Sequence, residues 1–165
     1  MSGTSEPPPP VEVTLDEFLC FPLHAATRAI TRVYAVLLEP FGLTYPQYLV
    51  VVALDEADSP QSVGALGARL RLDSGTLTPL LKRLEQRGLV TRGRDPEDER
   101  RVLVALDGDG CDLARRLAGV PARAGAATGL DWDQVTRLRG DLAALIEHLD
   151  AWEDAAGLSP DGPAS

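Results

Sequence analysis

Cysteine, histidine and methionine are scarce in this chain, which has two, two and one of them among 165 residues. Two thiols cannot build the disulfide framework on which small secreted domains depend, so Cys20 and Cys111 read as redox-active or inert. Cys20 and His24 share a helix face at i and i+4, but Cys111 and His148 lie far away in sequence, too scattered for a metal site. No metal and no cofactor are expected. No apolar run approaches the ~18 to 20 residues of a membrane span. The first residues also lack a basic region followed by an apolar stretch, so the expectation is a soluble, cytoplasmic protein without a membrane partner. No phosphate-cradling loop is present, and no base or metal cluster accompanies either cysteine, which argues against an enzyme.

Acidic residues are plentiful, and the net charge is −9. Taken as an average, that charge opposes binding to a polyanion, because Lys and Arg supply most of the affinity for nucleic acid. The distribution says otherwise. Between Arg69 and Arg94 seven basic residues face two acidic ones, a local +5 that leaves −14 for the remainder. A DNA reader with an acidic body has this segregation.

The length suits one domain. Residues 1–13, with four successive prolines, and residues 156–165 read as loose tails, leaving a single domain over 14–155. Thr14 and Glu17 form a capping-box pattern that predicts a helix start, and apolar residues from Phe18 to Leu38 keep a helical rhythm until Pro40 and Gly42. A second helix is expected from Thr44 to Ala57, with Pro46 in its first turn. A third is capped by Ser62 and carries Val63, Leu66 and Leu70. After a four-residue break, Leu77, Leu80, Leu81 and Leu84 define a fourth that ends at Gly88. The last two form a helix-turn-helix. Residues 89–92 and 101–106 have strand character around a charged tip at 93–100, a wing. Two more helices are expected from Asp107 to Ala127 and Asp131 to Ala155, the second with an apolar stripe that nothing else in the chain covers. The fold is thus mainly α with a small β-hairpin wing, a winged helix-turn-helix over about 44–107 flanked by N- and C-terminal dimerisation helices at about 14–40 and 108–155.

This order of elements, and the segment from Leu72 to Arg92 with the wing segment from Asp95 to Val102, resemble the MarR family of transcription regulators. The resemblance implies a homodimer on a palindromic double-stranded DNA operator. It puts Ser74, Thr76 and Thr78 at the start of the groove-reading helix, where short hydroxyls suit base edges and phosphate. Lys82 and Arg83 follow as phosphate contacts and Arg94 lies at the wing. Arg100 would enter a narrow minor groove, held by Asp98. Pro79 strains this helix unless Ser74 or Thr76 caps it, and a local kink is expected.

Within the family, Glu17–Phe21, Tyr34 and Leu43–Tyr48 are similar to the organic hydroperoxide resistance regulators. That likeness implies Cys20 as the redox sensor, with Tyr34 and Tyr45 bonding its sulfur, organic hydroperoxide as inducer and a low-molecular-weight thiol as a possible later partner. Tyr34 lies fourteen residues after Cys20. In a helix that spacing returns to within about 40° of the same face but rises about 21 Å, so the two meet only across a two-fold axis. Three departures from the pattern stand out: Pro22, expected to kink the first helix; His24, where the subgroup commonly has an aromatic hydroxyl; and Cys111, too early in the chain to match the resolving thiol of two-cysteine members. The rival reading is a MarR-type regulator that answers to a small aromatic effector, with Cys20 incidental.

Overall fold

The computed structural model describes residues 14–157. The expected tail at 1–13 and most of the one at 156–165 lie outside them, while Ala156 and Gly157 are the end and cap of the last helix. Helix α1 (Cys20–Leu38) leads through a 3-10 turn into α2 (Tyr45–Asp55). A short strand β1 (Gln61–Ser62) precedes α3 (Val63–Leu70) and α4 (Ser74–Gln86). Strands β2 (Val90–Arg94) and β3 (Val102–Leu106) form the hairpin, followed by α5 (Gly108–Leu117), α6 (Val120–Ala127) and α7 (Trp132–Ala156).

Local chemistry sets most of these boundaries. The Thr44 backbone N–H donates to Gln47 Oε1 at 2.9 Å, completing a capping box that starts α2, and Pro46 sits in the first turn where its missing N–H leaves no bond unmade. The Ser62 hydroxyl accepts from the Ala65 N–H at 3.1 Å and starts α3. The Thr14–Glu17 box forms as well, but it heads only a 3-10 turn (Leu15–Glu17), and α1 begins at Cys20. This corrects the expectation for Pro22. It is the third residue of α1, in the turn whose N–H groups have no intrahelical acceptor, so no helix bond is lost there.

Two further differences have clear causes. The expected single helix from Asp107 to Ala127 is interrupted at Ala118–Gly119, because Pro121 cannot donate to the carbonyl of Leu117. The wing is part of a three-stranded antiparallel sheet in the order β1-β3-β2, with Gln61 opposite Val104 and Arg92 opposite Val104 on the other side. A two-residue strand has too little alternation to be read from sequence.

The core gathers Leu38, Val50, Val51, Leu66, Leu77, Leu81, Leu84 and Val104, all fully buried, between the end of α1, α2, the helix-turn-helix and the sheet. Helix α7 contributes no buried residue, and α1 only Leu37 and Leu38. Both helices therefore carry large exposed side chains: Phe18, Leu19 and Phe21 at and before the start of α1, and Trp132, Leu138, Leu149 and Trp152 along α7.

Candidate DNA interface and thiol site

Helix α4 starts at a cap that the expectations missed. Asp73, not Ser74 or Thr76, is the N-cap: its Oδ1 accepts from the Thr76 N–H and its Oδ2 from the Thr76 hydroxyl, both at 2.8 Å. These hydrogen bonds hold the Asp73 carboxyl below the usual carboxylate range. The Thr76 proton is committed to the cap, while Ser74 and Thr78 are exposed with hydroxyls that make no hydrogen bond among the described residues. Pro79 becomes the sixth residue of the helix, which nevertheless runs on to Gln86. Its ring is exposed, and water can reach the Gly75 carbonyl that it leaves without a donor.

The basic stripe is less bare than its charge suggested. Arg69 pairs with Glu56, Arg71 forks onto Asp150, and Arg87 donates to the carbonyls of Gly42 and Phe41 at 2.7 and 3.0 Å. Arg92 is half-buried beside Glu85, with its Nε lacking a partner. Lys82 and Arg83, the positions expected to meet phosphate, remain exposed on α4 and unengaged among the described residues.

At the wing, Arg94 donates to the Glu99 carbonyl at 2.8 Å, so it closes the tip. Asp95 is buried and organises the turn. Its side chain accepts from the Glu97 N–H at 2.9 Å and lies 3.5 Å from the Arg101 guanidinium. Asp98 accepts from the Arg100 N–H at 3.1 Å and stands 3.8 Å from the Arg100 Nε. The Arg100 side chain is 95% exposed, reaching away from the body as a groove-entering guanidinium must.

Cys20 is the first residue of α1 and is exposed. No side chain caps this helix start, and Phe18, Leu19 and Phe21 surround the thiol in sequence with exposed apolar surface. Tyr34 is fourteen residues further along the same uninterrupted helix, so the chain does not bring its own Cys20 and Tyr34 together. It does join Tyr34 to Tyr45, with ring centroids 4.5 Å apart. Tyr48, whose role was not foreseen, completes the group at 5.5 Å from Tyr34 and 6.3 Å from Tyr45. The i, i+3 spacing of Tyr45 and Tyr48 puts both on one face of α2, but nothing in that spacing tells that Tyr34 meets them.

Burial raises all three phenols, and Tyr48 is pushed up to about 12 by burial first and then by the neighbouring rings and Glu56. A raised value means that the folded state holds the proton more tightly than the unfolded chain. The contribution of each phenol is therefore complete below the ordinary phenol value of 10.0 and is lost as pH rises above it, for Tyr48 through about 12. Ultraviolet titration should show phenolate appearing late, together with unfolding; three phenols titrating normally in a folded protein would contradict this.

A turn-linked helix pair whose second helix presents unengaged hydroxyls and cations, beside a hairpin with a projecting arginine, defines a winged-helix DNA-binding protein. The comparisons are specific. The MarR family model matches residues 43–102. The chain is 42% identical to the organic hydroperoxide resistance transcriptional regulator of Bacillus subtilis, over 82% of this chain and 91% of that one. It is 46% identical to the HTH-type transcriptional regulator TtmR of Methylorubrum extorquens, over 84% and 70%. Reduced AbfR of Staphylococcus epidermidis bound to DNA superposes with a TM-score of 0.67 at 34% identity, covering 79% of this chain and 91% of that one. The chain belongs to the MarR family, and is a DNA-binding transcriptional regulator rather than an enzyme. Among the described residues no single helix is long and apolar enough to cross a membrane.

Proposed function

We propose that the protein is a homodimeric repressor that releases a palindromic operator when organic hydroperoxide oxidises Cys20. The observation that carries this reading is an exposed thiol at an uncapped helix start, in apolar surroundings, with a trio of tyrosines that only a second subunit could bring to it. None of the three hydroxyls makes a hydrogen bond among the described residues, and Tyr34 and Tyr45, which are only partly buried, have protons to offer a thiolate sulfur. Such donors favour the anionic form, the nucleophile. The uncovered faces of α1 and α7 suit an isologous interface, in which covering each large apolar side chain contributes about 1.5–3 kcal/mol.

In the reaction the Cys20 thiolate attacks the terminal peroxide oxygen. The O–O bond breaks, the alkoxide leaves and takes a proton to become an alcohol, and the sulfur becomes sulfenic acid. A small thiol then displaces water to form a mixed disulfide. The added bulk at the interface changes the separation of the two reading heads. Ser74, Thr78, Lys82, Arg83 and Arg100 are the residues expected on DNA, with Thr76, Arg94 and Asp98 holding the helix start and the wing in shape.

The test is release of the duplex upstream of the protein's own coding sequence on titration with cumene hydroperoxide. Wild type should dissociate, while Cys20→Ser should stay bound at every peroxide concentration. Dissociation of the serine variant would refute the sensor assignment. A second reading, an aromatic effector, has one observation in its favour: a cavity of about 360 Å³ whose lining includes Phe41, Leu89 and Leu113 with Arg87, Arg116, Asp109 and Asp112. Effector-induced release that survives in Cys20→Ala would favour it.

A further inference from the structure

Arg71 is the only residue other than glycine with a positive φ among the described residues, at 54°. It caps the end of α3 in the left-handed region, where an L side chain is disfavoured and glycine is the usual choice. From there its guanidinium spans to α7 and makes two parallel hydrogen bonds with Asp150, to Oδ1 and Oδ2, each at 2.7 Å. The partners are 79 positions apart in the chain. The fork raises Arg71 and lowers Asp150 from their ordinary values.

Around this bond the helix-turn-helix and α7 stand apart. A cleft of about 730 Å³ lies between them, with Val63, Gly67, Leu72 and Leu77 on the head and Glu153 on α7. The turn itself is stiff. Leu72 N–H donates to the Gly67 carbonyl at 2.9 Å, and a Cβ at Gly67 would come within 2.9 Å of the Leu72 carbonyl. Two residues beyond Arg71 is Asp73, the cap of α4. A displacement of Arg71 is therefore transmitted to the first turn of the groove-reading helix.

We infer that the Arg71–Asp150 fork is a positioning tie, which fixes the start of α4 relative to α7 and so sets the stance of the reading head on DNA. Bidentate guanidinium–carboxylate geometry fixes orientation as well as distance, which a Lys in the same place would not. Both groups are solvent-accessible, so the tie is modest in strength and adjustable by salt.

Binding of the duplex upstream of the protein's own coding sequence tests the inference, with thermal melting run alongside. Asp150→Asn and Arg71→Ala should each weaken binding by about fivefold at low salt, with a change in salt slope well short of the one that loss of a phosphate contact brings. The exchange Arg71→Asp with Asp150→Arg should restore most of the affinity, since Asp tolerates the left-handed region. Arg71→Gly separates the tie from fold stability: glycine relieves the backbone strain, so melting should stay level or rise while affinity falls. Unchanged affinity in Asp150→Asn overturns the inference. So does a fall in salt slope of about one in Arg71→Ala with Asp150→Asn silent, the signature of a direct phosphate contact. Full affinity in Arg71→Gly overturns it as well.

Discussion

Replacing Gly110 with alanine lowers the stability of the domain by about 3 kcal/mol, the upper range for forcing an atom into a filled space. Gly110 is in the first turn of α5 and is buried. A Cβ built there would lie 2.0 Å from the carbonyl oxygen of Leu89, 3.0 Å from its carbon and 3.3 Å from a methyl of Leu106. The first two are backbone atoms, so no rotamer change can relieve the clash. The Leu89 carbonyl also accepts the Asp107 N–H at 3.2 Å, and Leu89 N–H in turn donates to Leu84 at 3.0 Å. Moving α5 away thus strains the root of the wing and the end of α4 together. Chemical denaturation should show the midpoint falling with little change in slope. A midpoint equal to that of wild type would mean that the Leu89 backbone does not bar a side chain at position 110.

Arg100→Ala should weaken operator binding by about 2 kcal/mol, roughly 30-fold, while leaving the melting temperature within experimental scatter. The two effects separate because the side chain is almost wholly exposed and its only ionic contact among the described residues is a loose one with Asp98. An ion pair of that kind contributes little to stability. A guanidinium inserted into a narrow minor groove, by contrast, meets an enhanced negative potential and reads groove shape. Asp98→Ala should have a smaller effect in the same direction, because the Arg100 backbone N–H loses its acceptor and the wing tip loosens. Fluorescence anisotropy on matched A·T-rich and G·C-rich flanks would measure both. Equal loss on the two flanks would leave Arg100 as a phosphate contact without shape readout.

The basic segment illustrates how charge counts mislead when pairing is ignored. Seven cations between Arg69 and Arg94 suggested an open phosphate-binding face, but Arg69, Arg71, Arg87, Arg92 and Arg94 each have protein acceptors, Glu85 in the case of Arg92. The partners of the other four are Ala53, Asp150, Gly42 and Glu99, most of them remote in sequence. The cations left exposed without a close protein partner among the described residues are a smaller set, Lys82 and Arg83 on α4 with the loosely held Arg100 at the wing, and these are the ones proposed to meet DNA.

Much of the architecture is written locally. Helical periodicity, the capping boxes at Thr14 and Thr44, the Ser62 cap and Gly88 at φ +67° fix which segments coil and where several of them stop, since each depends on residues within one turn of another. The exposed stripe on α7 was also legible, because a helix of that amphipathy with nothing left to cover it has to show it. The capping residue of α4 was misread because Asp73 and Ser74 are both good caps, and only backbone conformation separates them. The tyrosine trio, the buried Asp95 under the wing, the approach of Gly110 to Leu89 and the fork from Arg71 to Asp150 were decided by tertiary structure alone. Each joins groups on different elements or across a turn, and such meetings depend on where the helices and strands return in space. Periodicity within a segment carries no record of that.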